Sequence, residues 1–390
     1  MDLFADIAYE SLHKYGEELC GDKVEFTRTD DFALAVLADG LGSGVKANIL
    51  STLTSKIIAT MLSSGATLDE AVDTIASTLP VCSERGVAYS TFTIIHVDND
   101  GKTYLAEFDN PELVYLKDGV VTPFDRREET MSGKQIFISE LQLSEGDMLI
   151  TFSDGVVHAG VGSLMDLGWQ YDNIVKFIRE NITGQMSPLE VARKILLAVN
   201  TLYMQKCGDD STVCVVKMKQ NTPVTIMVGP PVDPASDEIV VKKLMENPGK
   251  KVVCGGTTSQ IVSKLTGKEL KVSIDYENPA VPPTATMEGI DLVTEGVLTL
   301  GKALEIIKTL KDAPEEKWDT FTLNKKDGAT RLAKMILEES TQVHFLVGRA
   351  LNPAHQNPEM PISLGLKLNL IKELAALVSS MGKKVKLDYF

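Results

Sequence analysis

Basic residues and paired cysteines are both scarce in this chain of 390 residues. There are 39 Lys and Arg against 54 Asp and Glu, which gives a formal charge of −15, and no basic patch offsets it. A polyphosphate backbone would be repelled, so we expect no nucleic-acid partner. The five cysteines are odd in number and lack C-x-x-C spacing, which argues against a disulfide framework and against a zinc site.

A long apolar run is missing as well. No stretch approaches the ~18 apolar residues of a membrane span, and the N-terminal residues carry acids where a signal peptide would have its apolar core. Cysteines without a pairing pattern are typical of a reducing compartment. These absences predict a cytoplasmic protein with no membrane partner. The composition itself, 44% hydrophobic with a mean hydropathy of +0.02, is that of a globular protein.

The length favours two domains. The polar stretch Lys219–Pro223 is the best boundary, which predicts one domain at residues 1–219 and a second at 222–390. Strands and helices of the first domain occur in separate blocks, a pattern typical of α+β packing of antiparallel sheets against helices. In the second domain they alternate, which predicts an α/β doubly wound, largely parallel sheet.

Local patterns predict several elements of the first domain. A short helix is expected at the N-terminus. Val45, Ile49 and Leu53 begin an apolar repeat at every fourth residue, which predicts a long helix that ends at Gly65. From Ala88 onward the segments YSTFTIIHVD, KTYLAEFD and PELVYLKDG, separated by turn residues, predict an antiparallel meander.

Four aspartates occur next to strand-like apolar runs or glycines. They are Asp22, Asp39, Asp154 and Asp209. Aspartate is a poor strand former, so its repeated appearance where a buried strand emerges suggests carboxylates gathered around hard cations at one edge of a sheet. Taken singly, an Asp-Gly pair is more often a turn, and we assign Asp118-Gly119 and Asp327-Gly328 to turns.

These residue types suit a two-metal phosphohydrolase. Asp39 at a strand end can bridge two divalent cations, and the unobstructed carbonyl of Gly40 supplies another oxygen. Asp154 and Asp209 would complete the shell of one metal, and Asp22 that of the other. Two such ions can share a water, lower its pKa and direct it at a phosphorus atom, so that no protein nucleophile is needed.

Four motifs resemble a known family in their order along the chain. Gly21-Asp22, ADGLGSG at 38–44, SDGV at 153–156 and DDSTV at 209–213 resemble the signature of metal-dependent serine/threonine protein phosphatases of the PPM, or type 2C, superfamily. The glycine pattern DG-x-G-x-G followed at once by a helix resembles the bacterial SpoIIE-like branch. The resemblance covers about residues 1–218, and the C-terminal domain resembles no family that we recognise.

The resemblance implies a fold, a reaction and a cofactor. The fold would be a PPM-type β-sandwich flanked by helices, and the reaction hydrolysis of phosphoserine and phosphothreonine in a phosphoprotein partner during signalling. Two ions of Mn²⁺ or Mg²⁺ would be held by Asp22, Asp39, the Gly40 carbonyl, Asp154 and Asp209, of which Asp39, Asp154 and Asp209 are the residues essential to catalysis. Asp210 would support these ligands.

Two other functions stay open at this stage. The same metals could serve hydrolysis of a small phosphate ester, or the domain could be a phosphatase-fold signalling scaffold without activity. His158, just after SDGV, is either an acid for the leaving group or an ordinary loop residue. The sequence leaves the oligomeric state open, with a homodimer as one expectation.

The second domain offers weaker motifs. Cys254–Ser259, CGGTTS, follows a strand and opens a helix, which suits either an anion site or a plain helix start. Two similar strand-exit loops, VGPPVDPA and VGRALNPA, could face one crevice and would make polar candidates of Arg349, His355, Asp291 and Glu295. We expect this domain to bind a small-molecule or protein regulator and so to regulate or target the phosphatase.

Overall fold

The computed structural model describes residues 3–78, 90–272, 280–318, 323–350 and 364–390. Their contacts divide the chain into two compact units, Met1–Gln220 and Asn221–Phe390. In the parts of the chain that are described, no helix is long and apolar enough to cross a membrane.

The N-terminal unit contains two antiparallel sheets. Its strands are β1 (Leu3–Leu12), β2 (Asp22–Arg28), β3 (Phe32–Gly40), β4 (Ser90–Asp98), β5 (Lys102–Phe108), β6 (Val114–Lys117), β7 (Val120–Val121), β8 (Arg127–Met131), β9 (Lys134–Gln142), β10 (Met148–Phe152) and β11 (Ser211–Gln220). One sheet has the order β1-β11-β10-β6-β7 and the other β2-β3-β4-β5-β9-β8.

Helices cover both outer faces of these sheets. They are α1 (Gly44–Ser63), α2 (Leu68–Thr78), the single turn α3 (Asp154–Val157), α4 (Tyr171–Asn181) and α5 (Pro188–Leu202). Helices α1 and α2 pack on the sheet that contains β3, and α5 packs on β1 and β11. A capping box of Ser187 and Glu190 begins α5, as the sequence pattern indicates. The unit is thus a sandwich of two sheets between helices.

Strand β3 is apolar because it is buried on both faces. Ala33, Ala35 and Leu37 lie in the core between the two sheets, whereas Leu34 and Val36 contact the helical layer. A strand buried on both sides has no position for alternating polar residues, which explains the continuous apolar run before Asp39. That burial fixes the strand, and with it the aspartate at its end.

Two expectations for this unit are wrong. The N-terminal segment is not a helix but strand β1, whose residues pair with β11 over the full length from Leu3 to Leu12. The third strand of the expected meander, β6, leaves the sheet of β4 and β5 and pairs with β10 in the other sheet. In both cases the partner is far away in the sequence, where local patterns carry no information about it.

In its described residues, the C-terminal unit has one seven-stranded sheet. Its strands are β12 (Pro223–Val228), β13 (Lys250–Cys254), β14 (Lys271–Val272), β15 (Ala285–Met287), β16 (Ile290–Thr294), β17 (Gln342–Val347) and β18 (Lys384–Tyr389). The order is β14-β15-β16-β13-β12-β17-β18. Strands β16, β13, β12, β17 and β18 are parallel, and β14 and β15 form an antiparallel edge.

Helices lie on both faces of this sheet. They are α6 (Asp237–Glu246), α7 (Gly256–Thr266), α8 (Val297–Lys311), α9 (Gly328–Leu337) and α10 (Leu364–Ser380). Helices α6 and α7 pack on one face, around Met227 and Leu346. Helices α8, α9 and α10 pack on the other, around Ile226 and Phe345. The connections after β12 and after β17 therefore leave toward opposite faces.

Candidate functional site: a cluster of carboxylates

Asp22 and Asp39 face each other across two neighbouring strands. Asp22 begins β2, Asp39 lies near the end of β3, and the antiparallel register pairs the two residues directly. The pairing continues beyond the strands, because the Gly40 N–H donates to the carbonyl oxygen of Gly21 at 3.1 Å. Two of the four predicted aspartates are thus neighbours on one sheet.

The other two aspartates come from the opposite sheet. Asp154 opens α3 just after β10, and Asp209 lies two residues before β11, which pairs with β10. The charges of Asp22, Asp154 and Asp209 all act on the carboxyl group of Asp39. The fold therefore brings together four carboxylates that are widely separated in the sequence.

Asp39 shows the electrostatic strain of this arrangement. Burial, together with the negative charges of Asp22, Asp154 and Asp209, raises the pKa of Asp39 to about 10. Contact with the carboxyl group of Asp154 acts in the same direction. Like charges brought together in a poorly solvated place favour the protonated acid, and a bound cation would reverse that preference.

Asp22 is held by a buried serine. Ser153 Oγ donates to Asp22 Oδ2 at 2.6 Å and accepts from the Thr212 N–H at 2.9 Å. Burial raises the pKa of Asp22 to about 7, although the hydrogen bonds from Ser153 and Thr212 oppose the rise. The role of Ser153 is not apparent from the sequence, where its only signal is its position directly before Asp154 in SDGV.

Asp210 organises the loop that leads into β2. Its Oδ1 accepts from the Lys14 N–H and its Oδ2 from the Gly21 N–H, both at 2.9 Å. The Lys14 ammonium lies 3.8 Å from Asp209 Oδ1. Burial raises the pKa of Asp209, and this lysine is the main opposing influence. Asp210 thus ties the segment before Asp22 to the segment that carries Asp209.

Gly40 and Gly155 are required by close backbone approach. A Cβ on Gly40 would collide with the carbonyl oxygen of Ala47 in α1, and one on Gly155 with the carbonyl oxygen of Asp210. Any side chain would push these segments apart. Glycine therefore sets the spacing between the aspartates and the elements behind them.

The residues present fit a hard divalent cation. All the predicted donors are oxygens, which suits Mg²⁺ or Mn²⁺ and disfavours zinc. Asp22 Oδ1 is buried and has no hydrogen-bond partner among the described residues, so one carboxylate oxygen is left for a ligand. Within the described ranges, however, no three His, Cys, Asp or Glu side chains form a ready-made metal-binding group. The carboxylates are neighbours, but they are not closed around a common centre.

The two Asp-Gly pairs assigned to turns lie elsewhere. Asp118 has a φ of 48° in the turn between β6 and β7, and Asp327 caps α9 by accepting from the N–H groups of Ala329 and Thr330. The turn at Asp118-Gly119 is confirmed, whereas the assignment of Asp327-Gly328 to a turn is wrong, because Asp327 is the N-cap and Gly328 the first residue of α9. His158 is exposed one residue beyond α3, a position that gives it no structural role in the core.

The polar candidates of the C-terminal unit are scattered. Glu295 and Arg349 follow β16 and β17 at the carboxyl edge of the sheet. Asp291 lies near the other end of β16, where its Oδ2 accepts from the Lys251 N–H at 2.8 Å. His355 lies outside the described residues. The expectation that Asp291 shares a crevice with the other candidates is therefore wrong.

Comparisons with known proteins agree with the motifs of the first unit. Residues 29–219 match the family model described as Stage II sporulation protein E (SpoIIE). The curated Stage II sporulation protein E of Bacillus subtilis (strain 168) is 26% identical over 205 residues, which are 48% of this chain and 22% of that protein. The chain thus spans about a fifth of the length of this relative.

Two solved structures of phosphatase domains are similar to a little more than half of this chain. The phosphatase domain of SpoIIE from Bacillus subtilis with a fragment of its regulatory domain is 21% identical at a TM-score of 0.48, over 57% of this chain and 66% of that chain. The catalytic domain of the serine threonine protein phosphatase PstP, solved with two manganese ions, is 18% identical at a TM-score of 0.39, over 56% of this chain and all of that chain.

The family match confirms the resemblance that the four motifs indicated. It covers ADGLGSG, SDGV and DDSTV, although it begins after Gly21-Asp22. Residues 29–219, just under half of the chain, are therefore similar to the SpoIIE family.

Proposed function

We propose that residues 1–219 form a metal-dependent protein serine/threonine phosphatase. The observation that carries the proposal is the convergence of Asp22, Asp39, Asp154 and Asp209 from four separate stretches of the chain onto one end of the two sheets. Such a concentration of negative charge is costly without a cation, and its donors are those that Mn²⁺ and Mg²⁺ prefer.

Each residue would have a distinct task in holding two ions. Asp39 would bridge them, Asp154 and Asp209 would complete one site, and Asp22 with the Gly40 carbonyl would complete the other. Ions bound there would supply an activated water and neutralise the charge of a phosphoryl group. Ser153 would keep Asp22 oriented through its 2.6 Å hydrogen bond, and Asp210 would hold the approach to β2.

Manganese-dependent hydrolysis of p-nitrophenyl phosphate tests the proposal. Asp39→Asn and Asp154→Asn should lower the activity by roughly a hundredfold or more, since even residues that only support a ligand cost 10–100-fold. Asp118→Asn is the matched control, because Asp118 is a turn residue whose φ of 48° asparagine also accepts. A folded wild-type protein that takes up no metal would contradict the proposal.

The substrate class needs a separate comparison. Turnover of phosphoserine and phosphothreonine peptides, measured beside a panel of small phosphate esters, distinguishes a protein phosphatase from a hydrolase of small molecules. We expect the peptides to be preferred. A preference for one small ester would assign the same metal chemistry to a different substrate.

We further propose that residues 222–390 form a doubly wound regulatory or targeting domain. One feature supports the proposal: this unit has its own hydrophobic core. Its role would be to bind a regulator of the phosphatase. Deleting residues 222–390 should leave manganese-dependent turnover of p-nitrophenyl phosphate in place while changing its response to a regulator.

A further inference from the structure

Lys14 places a positive charge at the edge of the carboxylate cluster. Its ammonium lies 3.8 Å from Asp209 Oδ1, and among the described residues it is the one cation within ion-pair distance of the four aspartates. Asp22 is buried, whereas Asp154 is exposed and the side chain of Asp209 is 43% exposed. A phosphoryl group that enters from solvent therefore meets the cluster on the side of Asp154 and Asp209, where Lys14 lies.

Two hydrogen bonds fix the backbone at Lys14. The Lys14 N–H donates to Asp210 Oδ1 at 2.9 Å, and the Tyr15 N–H donates to the carbonyl oxygen of Cys207 at 2.8 Å. Both acceptors lie in the segment that carries Asp209 into β11. The start of the Lys14 side chain is therefore fixed relative to Asp209, and only its flexible four-carbon stem decides where the ammonium lies.

The ammonium itself is held loosely. Its distance of 3.8 Å from Asp209 Oδ1 is well beyond the roughly 2.9 Å of an N–H···O hydrogen bond. Both partners are partly exposed, and ion pairs of this kind contribute little to stability. An ammonium has three N–H donors, and at this distance Asp209 does not engage them. Lys14 can therefore exchange Asp209 for another acceptor at small cost.

The charge of the metal-loaded cluster leaves room for such a cation. Four ionised aspartates carry four negative charges, which two divalent cations would neutralise. The phosphoryl group of a substrate adds about 1.5 to 2 negative charges at neutral pH, and nothing in that count balances them. Because the ion that Asp209 holds would neutralise its carboxylate, the phosphoryl oxygens would become the stronger acceptor for the Lys14 ammonium.

We infer that Lys14 is a catalytic residue, whose ammonium binds the phosphoryl group of the substrate once the carboxylate of Asp209 holds a metal ion. The inference rests on the proposed function, because it adds a substrate contact to the same site. Lys14 stays protonated throughout, so it supplies positive charge and hydrogen bonds and takes no part in bond making. Such a contact also stabilises the charge that develops on a transferring phosphoryl group.

A purely structural role for Lys14 leads to a different expectation. If Lys14 only neutralises Asp209, its removal takes away a charge that repels a cation, so metal binding strengthens and phosphate binding does not change. If Lys14 binds the phosphoryl group, its removal weakens phosphate binding. The affinity for metal and the affinity for phosphate therefore separate the two roles.

Calorimetric titration of the full chain measures both affinities. Mn²⁺ is titrated into the metal-free protein, and inorganic phosphate, the product of hydrolysis, into protein loaded with Mg²⁺. We expect Lys14→Met to raise the dissociation constant of phosphate by about tenfold or more, as the loss of a charge-assisted hydrogen bond implies. The dissociation constant of Mn²⁺ should stay the same or fall. The kcat/KM for p-nitrophenyl phosphate should fall by a factor similar to the loss of phosphate affinity.

Two further variants complete the test. Lys14→Arg keeps the positive charge and should retain most of the affinity for phosphate. Lys56→Met is the matched control, because Lys56 also pairs with a carboxylate of this unit, Glu25 at 2.6 Å, and its side chain is 64% exposed. It should leave both dissociation constants and kcat/KM unchanged.

The metal titration distinguishes a failure of this inference from a failure of the proposed function. A wild-type protein that takes up no metal contradicts the proposed function, and the inference with it. Where metal is taken up, an unchanged dissociation constant of phosphate in Lys14→Met overturns the inference alone, as does a wild-type protein without saturable phosphate binding. So does loss of Mn²⁺ binding in Lys14→Met, which would make Lys14 a residue that only positions Asp209. If circular dichroism shows that Lys14→Met does not fold, Lys14→Gln replaces it with the same expectations.

Discussion

Individual side chains decide how much of the carboxylate cluster was predictable. Asp22, Asp39, Asp154 and Asp209 could be chosen from the sequence because each lies at the end or start of a buried strand, where aspartate is otherwise disfavoured. The residues that orient these four aspartates could not be chosen from the sequence. Ser153 looks like any serine before a turn, and only the fold shows its hydroxyl between Asp22 and the Thr212 N–H.

Arg126 illustrates how much one buried charge pair can matter. Its guanidinium donates to Glu107 at 3.0 and 2.9 Å, and Glu107, almost fully buried, also accepts from the Leu113 N–H at 2.8 Å. Glu107 is the penultimate residue of β5, and Leu113 directly precedes β6 in the other sheet. This pair therefore fixes the chain where it crosses from one sheet to the other.

We predict that Arg126→Met lowers the free energy of unfolding by about 3–5 kcal/mol at pH 8, because it leaves a buried carboxylate without its partner. Burial already raises the pKa of Glu107 and Arg126 opposes the rise, so the variant raises that pKa further. Because the pKa of Glu107 is higher in the folded than in the unfolded protein, its contribution to stability is fully present at pH values below the unfolded-state pKa. That contribution is lost as the pH rises toward the folded-state pKa. The loss should therefore be smaller at pH 5 than at pH 8 in urea denaturation.

The neighbouring arginine is the control for this experiment. Arg127 is 61% exposed and pairs with Glu129 and Glu140 on the surface. Arg127→Met should change stability by less than about 0.5 kcal/mol at either pH. Equal losses in the two variants, or a loss at Arg126 that does not depend on pH, would show that the burial of Glu107 is not what makes the pair important.

Whole elements were predicted unevenly. The repeat that begins at Val45 correctly predicted α1, which ends at Ser63 close to the expected Gly65. The repeat does not mark the buried face, however, since Val45, Ile49 and Leu53 are exposed and residues such as Ala47 and Ile58 face the sheet. The buried face of α1 contains small and polar residues, so the spacing of large apolar residues does not identify that face.

The reason for those small residues is the closeness of α1 to β3. Gly40 packs directly on the backbone of Ala47, and Asn48 Nδ2 donates to the Cys20 carbonyl oxygen at 2.8 Å. Helix α1 is thereby attached to both strands that carry Asp22 and Asp39. Its distance from the sheet sets the positions of these two carboxylates.

We predict that Gly40→Ala destabilises the protein by about 1–3 kcal/mol, because the new methyl group forces α1 away from β3. Manganese-dependent activity should fall as well, since Asp39 moves with the strand. Urea denaturation and p-nitrophenyl phosphate hydrolysis measure the two effects. Gly184→Ala is the control, because the nearest atom to its new Cβ would be the Gly119 nitrogen at 4.0 Å. Equal stability and equal activity of the two variants would contradict the close contact between Gly40 and the backbone of Ala47.

At the scale of the whole molecule, the two units use different chemistry. The N-terminal unit gathers four aspartates, whereas the strand exits at the carboxyl edge of the C-terminal sheet carry residues of both charges, Glu295 after β16 and Arg349 after β17. The alternation of strands and helices predicted a parallel sheet in the second unit. It could not predict the strand order, because β12 lies beside β17, more than a hundred residues later.

Each unit contains one of the two tryptophans, so their unfolding can be followed separately. Trp169 and Trp318 are both buried. In Trp318→Phe, the fluorescence of Trp169 should report a higher unfolding temperature with Mn²⁺ than with EDTA, because a ligand at 100 times its dissociation constant stabilises by about 2.7 kcal/mol. In Trp169→Phe, Trp318 should report no such shift, since the carboxylates lie in the other unit.

Adding Asp39→Asn to the Trp318→Phe protein should abolish the manganese effect at Trp169, because one of the proposed metal-binding carboxylates is gone. Arg127→Met in the same background should preserve it. A manganese shift seen at Trp318 but not at Trp169 would place the metal in the wrong unit and contradict the assignment of the four aspartates.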